Sequence, residues 1–252
     1  MYIRIIFVIC SDMVIGGLQK LTLLDYPEHL AAIIFTQGCN FRCHFCYNPK
    51  LVVPQLVAPN KDAQSPGHSL INENGLFGFL RERQKKLDAV VITGGEPTLH
   101  PDLPEFIKKI KELGYLVKLD TNGTNPEMLK NLLNAQLIDY LAMDLKAPLN
   151  KYNLVTGVKA PLNNIEKSIK IIISSGLPYE FRTTVLPEFH QIEDIEKMGE
   201  MIKGAAKWYL QKFQSSIDLV DEKFKDKKSY QDKEMDDLRK IALEYVKYCE
   251  IR

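Results

Sequence analysis

The sequence predicts an α/β protein, a partial (β/α)6 TIM-like barrel forming one catalytic domain. Three observations carry this. Six short apolar runs have strand length, helical patterns lie between them, and residues able to do chemistry cluster where the runs end. A chain of 252 residues, 45% of them hydrophobic, is also long enough to bury one sizeable core.

In order, the strand-like runs are Ala31–Gln37, Ala89–Thr93, Tyr115–Asp120, Tyr140–Lys146, Tyr179–Leu186 and Lys207–Phe213. Between them, Leu103, Phe106, Ile107, Ile110 and Leu113 fall at helical spacing, and Gly114 follows as a stop. Asn125 before Pro126 reads as an N-cap and first turn. Residues 164–175, stopped by Gly176, and 192–202 supply two more amphipathic helices, giving a right-handed βα series. Residues 50–69 hold three prolines and read as a long loop, while the mixed charges of 221–240 read as a solvated face. Met235, Leu238, Ile241, Ala242, Tyr245, Val246 and Cys249 share one face of a C-terminal helix, which puts Cys249 among packing residues and discounts it as a ligand.

The first ten residues form a short apolar run with one arginine but no small-residue cleavage site. They read either as an extra strand or as an extension upstream of a start at Met13, so residues 1–13 are set apart from a single domain over 14–252. No other run approaches the roughly 20 apolar residues of a membrane span, which leads to the expectation of a soluble, cytoplasmic protein. Lysine and arginine total 33 against 32 aspartates and glutamates, so no global field advertises a nucleic acid or a membrane.

Of five cysteines, Cys39, Cys43 and Cys46 are clustered, which suggests metal binding in a reducing compartment rather than disulfides. They follow directly on a strand, at the end of a barrel where chemistry gathers. Thiolates suit zinc or an iron–sulfur cluster, and a structural zinc needs a fourth ligand. His44 adjoins Cys43 too closely to serve easily, and nothing argues Cys10 into place. The simplest reading is a cubane with three cysteine ligands and one open iron; a zinc knuckle is the competing one.

Cys39-x-x-x-Cys43-x-x-Cys46, with aromatic Phe45 before the last cysteine, resembles the signature of the radical S-adenosylmethionine (SAM) superfamily. The resemblance implies a [4Fe–4S] cluster whose open iron is chelated by SAM, and adenine contact by the backbone at Tyr47. Gly94-Gly95-Glu96, which ends the second run, resembles the segment that receives the SAM ammonium in that family. In the run ending at Lys146, alternation puts Ala142, Asp144 and Lys146 on one face and Met143 and Leu145 on the other. If the apolar set meets the helices, the charged set points inward and implies a polar site; an edge strand at the surface is the alternative.

Asp120-Thr-Asn122-Gly123 and the segment from Phe181 through Arg182 to Pro187 end two further runs. Together with Asp144 and Lys146 they resemble the arrangement in glycyl-radical-enzyme activases. That implies SAM contacts from Asp120, Asn122, Asp144, Lys146 and Arg182, the arginine steadying the SAM carboxylate, and in some relatives a monovalent cation. Gln211, on the last run, is a candidate near the adenosine. His29, His68, His100 and His190 lack metal-ligand spacing and are read as capping, loop or surface residues.

From Val14 to the last strand the chain most resembles the longer activating proteins of anaerobic ribonucleoside-triphosphate reductase, on Gly16-Gly-Leu-Gln-Lys-Leu-Thr-Leu-Leu-Asp-Tyr-Pro27 and Phe35-Thr-Gln-Gly-Cys39. Those relatives usually read Cys-Pro-Tyr-Cys-His-Asn-Pro where this chain has Cys43-His-Phe-Cys-Tyr-Asn-Pro49, a change in the neighbours that tune such a site. The resemblance implies a flavodoxin or ferredoxin reductant, a 5′-deoxyadenosyl radical, and hydrogen abstraction from a glycine of a partner enzyme. Two other readings remain: a radical SAM enzyme acting on a small molecule or RNA base, and an iron–sulfur electron carrier or metal-stabilised binding module.

Overall fold

A computed structural model describes residues 13–52, 70–215 and 218–252. The first ten residues with Cys10, most of the loop read over 50–69, and His68 lie outside them.

Eight strands form one sheet in chain order. They are β1 (Ile15–Thr22), β2 (Ala31–Thr36), β3 (Ala89–Gly94), β4 (Leu116–Thr121), β5 (Tyr140–Asp144), β6 (Tyr179–Val185), β7 (Trp208–Lys212) and β8 (Cys249–Ile251). Only β1 runs antiparallel to its neighbour; β2 to β8 are parallel. β1 and β8 do not pair with each other, so the sheet curls into an open barrel. The six predicted strands are β2 to β7, each within two residues of its expected ends.

The helices are α1 (Pro49–Val52), α2 (Glu73–Arg83), α3 (Leu103–Glu112), α4 (Pro126–Asn134), α5 (Tyr152–Thr156), α6 (Leu162–Ile173), α7 (Ile192–Met201) and α8 (Asp232–Ala242). Their starts follow local chemistry. Asn125 accepts from Met128 N with Pro126 in the first turn of α4, and capping boxes at Gln191 and Gln231 open α7 and α8. Gly114 and Gly176 take positive φ just beyond α3 and α6, the stops expected of them.

Alternation along the strands sorts the side chains into two environments. Outward residues such as Ile34, Ile92, Leu119, Met143 and Phe181 join the helices in the main core, and a smaller interior cluster of Tyr26, Ala31, Ile33, Ala89, Val91 and Tyr140 fills part of the barrel. β5 lies between β4 and β6, which excludes the edge-strand alternative.

Two expectations need correcting. The C-terminal helix stops at Ala242, and Cys249 opens β8 instead of extending the helix face. The apolar period outlives the helix because Val246 and Cys249 enter the same core from a turn and a strand. Nor are residues 221–240 simply a solvated face: Asp221 and Phe224 turn in against the cysteine loop.

Candidate active site

The cysteines sit on the loop between β2 and α1, and three contacts shape its first half. Gly38 adopts a φ of 92°, and its carbonyl accepts from Glu96 N at 2.8 Å. Gly95 N donates to Thr36 O at 2.9 Å, and Arg42 N to Thr156 O at 2.8 Å. The Arg42 guanidinium then satisfies two loop carbonyls, Cys39 O and Phe41 O, each at 2.7 Å.

All three sulfurs line one cavity of about 540 Å³ at the C-terminal ends of the parallel strands. Backbone amides point at two of them: Phe41 N lies 3.4 Å from Cys39 Sγ and Asn48 N 3.5 Å from Cys46 Sγ. Burial pushes the Cys39 thiol up to about 11 and the Cys43 thiol up to about 12, and raises Cys46 in the same way. Thiolates here therefore need a strong cationic partner, which bound iron supplies while displacing the protons. Among the described residues no three His, Cys, Asp or Glu side chains converge as a single ion would require; a cubane instead offers each cysteine its own iron. The donor set fits the cluster.

Gly94 and Gly95 are glycines for a packing reason. A Cβ on Gly94, where φ is 115°, would collide with the Thr36 backbone, and one on Gly95 with the Gly38 carbonyl. The pair lets the end of β3 lie flat against the loop that carries Cys39. Glu96 is fully buried and its carboxylate is already occupied: it accepts from Thr98 N (3.0 Å), Thr98 Oγ1 (2.5 Å), Thr121 Oγ1 (2.8 Å) and Asn122 N (2.6 Å). Glu96 thus ties the β3 and β4 loops together instead of presenting a free carboxylate. Burial raises its carboxyl above the ordinary glutamate range in spite of these donors.

Asn122 is committed in a similar way. Its amide bonds Asn40 Oδ1 at 2.8 Å and approaches Cys39 Sγ at 3.9 Å, while its carbonyl accepts from Thr124 N and Oγ1.

Across β4, β5 and β6 the inward charges alternate in sign. Arg252 meets Glu180 at 3.3 Å, Glu180 meets Lys118 at 3.3 Å, and Lys118 lies 3.7 Å from Asp120. Asp120 then meets Arg182 at 2.9 Å, Arg182 meets Asp144 at 2.9 Å, and Asp144 meets Lys146 at 3.0 Å. Strand register explains the central part, since Asp144 pairs directly with Arg182. Burial alone would neutralise Asp144, yet Arg182 and Lys146 outweigh it and hold the carboxyl well below the usual range. Burial likewise opposes charge on Lys146, but Asp144 and the nearby Cys43 raise its pKa. Asp144 and Lys146 therefore stay charged, and the series ends with an ammonium facing the thiols.

Asp120 Oδ1 is the one buried side-chain polar atom among the described residues without a hydrogen-bond partner. It lies 3.7 Å from the Lys118 ammonium, and Asp120 itself is one of the cavity-lining residues. Arg182 bridges the Asp120 and Asp144 carboxylates with its guanidinium.

The remaining expected residues also line the cavity. Phe45 is buried against Phe189 and His190; the Tyr47 hydroxyl accepts from Gln214 N at 2.7 Å and its ring stacks on Phe213; Gln211 lies 3.5 Å from Thr184 Oγ1. His44 and Tyr47, two of the unusual neighbours of the cysteines, thus contact residues that follow β7. His190 lies in the loop before α7 and is fully buried, which excludes only the surface option: Nδ1 accepts from Leu186 N and Nε2 donates to Lys146 O at 2.8 Å, fixing the backbone beneath Lys146. His100 bonds Gln37 O at 3.0 Å at the root of the cysteine loop.

Lys118, Glu180 and Arg252 were missed. The alternation used on β5 reveals the first two, because Lys118 stands two residues from Asp120 and Glu180 two from Arg182.

An open parallel barrel with a three-cysteine loop after its first parallel strand and a charged cavity beside it defines a cofactor-dependent enzyme of the radical SAM kind. The chain belongs to the radical SAM superfamily, whose family model matches residues 33–202. Membership implies a [4Fe–4S] cluster and SAM. A Methanocaldococcus jannaschii protein assigned as a glycyl-radical enzyme activating enzyme is 33% identical over 94% of this chain and 95% of its own length. A second such protein from that organism is 28% identical over 77% of this chain and 71% of its own. In three dimensions, a domain of pyruvate-formate lyase-activating enzyme from Bacteroides vulgatus superposes with a TM-score of 0.53 and 18% identity, covering 66% of this chain and 99% of that domain. That likeness shows the fold. No helix among the described residues is long and apolar enough to cross a membrane.

Proposed function

We propose that this chain is a radical SAM activase that installs a glycyl radical on a partner enzyme, anaerobic ribonucleoside-triphosphate reductase, using electrons from a flavodoxin or ferredoxin in the cytoplasm. One observation carries the reading: the cavity beside the thiols continues to the open side of the sheet. Its lining takes Gln19 and Asp25 from the β1 end of the sheet and Lys212, Gln214 and Arg252 from the β7–β8 end. A closed barrel would admit only small substrates, whereas a lateral gap suits a peptide loop. The relatives assigned as activating enzymes support the same class.

When bound, the cofactor pair supplies one-electron reductive cleavage of SAM and a carbon radical that abstracts hydrogen. Cys39, Cys43 and Cys46 would hold three irons. Gly94 and Gly95, lacking side chains, let the methionine end approach the backbone, and Glu96 keeps that turn in place. Arg182 and Lys146 offset the anionic charge of a carboxylate and of the thiolates, and Asp120 holds the Arg182 guanidinium in place. Phe45, Tyr47 and Gln211 border the adenosine side, and Asn122 orients Asn40 and the first cysteine. No side chain has to act as a general base.

Anaerobic reconstitution with iron and sulfide, followed by dithionite and SAM, tests the chemistry. The expected result is 5′-deoxyadenosine from wild type and none from Cys43→Ala; equal product from both would overturn the cysteine assignment. Adding the anaerobic reductase should then yield a glycyl-radical doublet by electron paramagnetic resonance. Its absence, alongside active SAM cleavage, would remove that partner and leave the SAM chemistry standing.

A further inference from the structure

Residues 218–230 have no part in the chemistry above, and they lie beyond the residues that the family model matches. They nevertheless cross the outer side of the cysteine loop. Val220 N donates to Cys46 O and Asp221 N to His44 O, each at 3.1 Å. Among the described residues these are the only backbone bonds from positions 44–46 to a distant part of the chain. The Gly95 contact holds the Cys39 end of the loop and Thr156 holds Arg42, so the stretch between Cys43 and Cys46 depends on this third attachment.

Side chains reinforce it. The His44 ring lies nearly parallel to Phe224, with centroids 5.2 Å apart and planes 15° apart, and faces Phe189 at 6.0 Å. His44 Nδ1 meets Asp221 Oδ2 at 3.0 Å. Asp221 also accepts from Lys223 N, which orders the short 3-10 turn Glu222–Phe224 that presents Phe224. Leu219 and Phe224 are both buried in the main core. The far end is secured by Tyr230, whose hydroxyl donates to His190 O, and by a 2.8 Å ion pair between Lys227 and Glu188.

We propose that residues 218–230 form a strap that holds Cys43 and Cys46 in place through His44, with His44, Asp221 and Phe224 as positioning residues that keep water and oxygen from that edge of the cluster. Two backbone hydrogen bonds and the aromatic stack together hold His44 against this segment. With the strap gone, the carbonyls of His44 and Cys46 would take water as their partner beside the metal. The inference rests on these cysteines being cluster ligands.

The test compares reconstituted wild type with His44→Ala, Phe224→Ala, Phe224→Leu and Asp221→Asn. Iron per chain and the paramagnetic spectrum of the reduced cluster are recorded first, and the decay of cluster absorbance in air is then followed. His44→Ala and Phe224→Ala are expected to take up wild-type iron yet lose the cluster about tenfold faster, the usual cost of removing groups that support metal ligands. Phe224→Leu, which refills most of the volume, should decay close to wild type, and Asp221→Asn several-fold faster. Equal decay in all five proteins overturns the strap, as does equal acceleration in Phe224→Leu and Phe224→Ala, which marks a general loosening. If Phe224→Ala fails to fold, Asp221→Asn decides, and wild-type decay in that variant refutes the proposal. Failure of wild type to form any cluster would strike the cysteine assignment instead.

Discussion

Gly95→Ala tests whether the glycine pair after β3 is there to admit the cysteine loop. A Cβ at this position would stand 2.5 Å from the Gly38 carbonyl carbon, closer still to its oxygen, and 3.1 Å from Gly38 N. The obstruction is backbone and has no rotamer to escape into. Either the loop or the end of β3 must move, and the 2.8 Å bond from Glu96 N to Gly38 O moves with it. Overpacking costs about 1–3 kcal/mol and the lost hydrogen bond about 1 kcal/mol, so a total near 3 kcal/mol is expected. For a domain of this size that lowers the melting temperature by roughly 6–12 °C. Gly176→Ala is the control: its Cβ meets nothing within 4 Å, but its φ is 75°. Left-handed strain alone costs about 1 kcal/mol, or roughly 2–4 °C. Thermal unfolding of the metal-free chains gives the first readout and 5′-deoxyadenosine formation after reconstitution the second. Displacing Gly38 moves Cys39, so Gly95→Ala should lose about a hundredfold in rate, the usual scale for an ångström of misplacement. Gly176→Ala should keep its rate. If Gly95→Ala melts and turns over like wild type, the close approach is not what requires glycine there.

Two further outcomes are expected. Burial lowers the pKa of His190 from 6.5 to about 4 in the folded chain, so the unfolded chain binds more protons between those values. Its contribution, about 3 kcal/mol, is complete above pH 6.5 and is lost as pH falls towards 4. Urea unfolding at pH 7.5 and pH 5 should show this loss in wild type and much less in His190→Gln; the same pH slope in both would refute it. Glu180→Ala removes the nearer carboxylate from the buried Lys118 ammonium and leaves it Asp120 at 3.7 Å and the Asp25 carbonyl, so a loss of about 3 kcal/mol is expected, and the Lys118→Met/Glu180→Leu pair should recover most of it. Chemical denaturation measures both, and a single variant within 1 kcal/mol of wild type would show that the ladder does not depend on Glu180.

The three-cysteine spacing, the glycine pair and the inward face of β5 were legible in the sequence because each is local. Thiolate spacing dictates which metals can bind, and two-residue alternation dictates which side chains share a face. The same rule placed Asp144 and Lys146 in the cavity and would have placed Lys118 and Glu180 there too. The edge strands were hidden. β1 contains a glycine pair and β8 is three residues long, so neither has a period of its own, and both exist because a neighbour offers an unpaired edge.

What the sequence alone determined, then, is the strand and helix series, the grouping of the three cysteines and the signs of the inward charges. Only the tertiary structure decided how those groups are used: that Glu96 and Asn122 are spent on holding loops together, that Arg182 spans two carboxylates, and that Lys118 sits between Asp120 and Glu180. It also decided that His44 is gripped from beyond β7. The physical reason is that hydrogen-bond donors and acceptors are matched across elements far apart in the chain. Which partner each finds depends on register and loop packing, and neither leaves a periodic trace in the residues themselves.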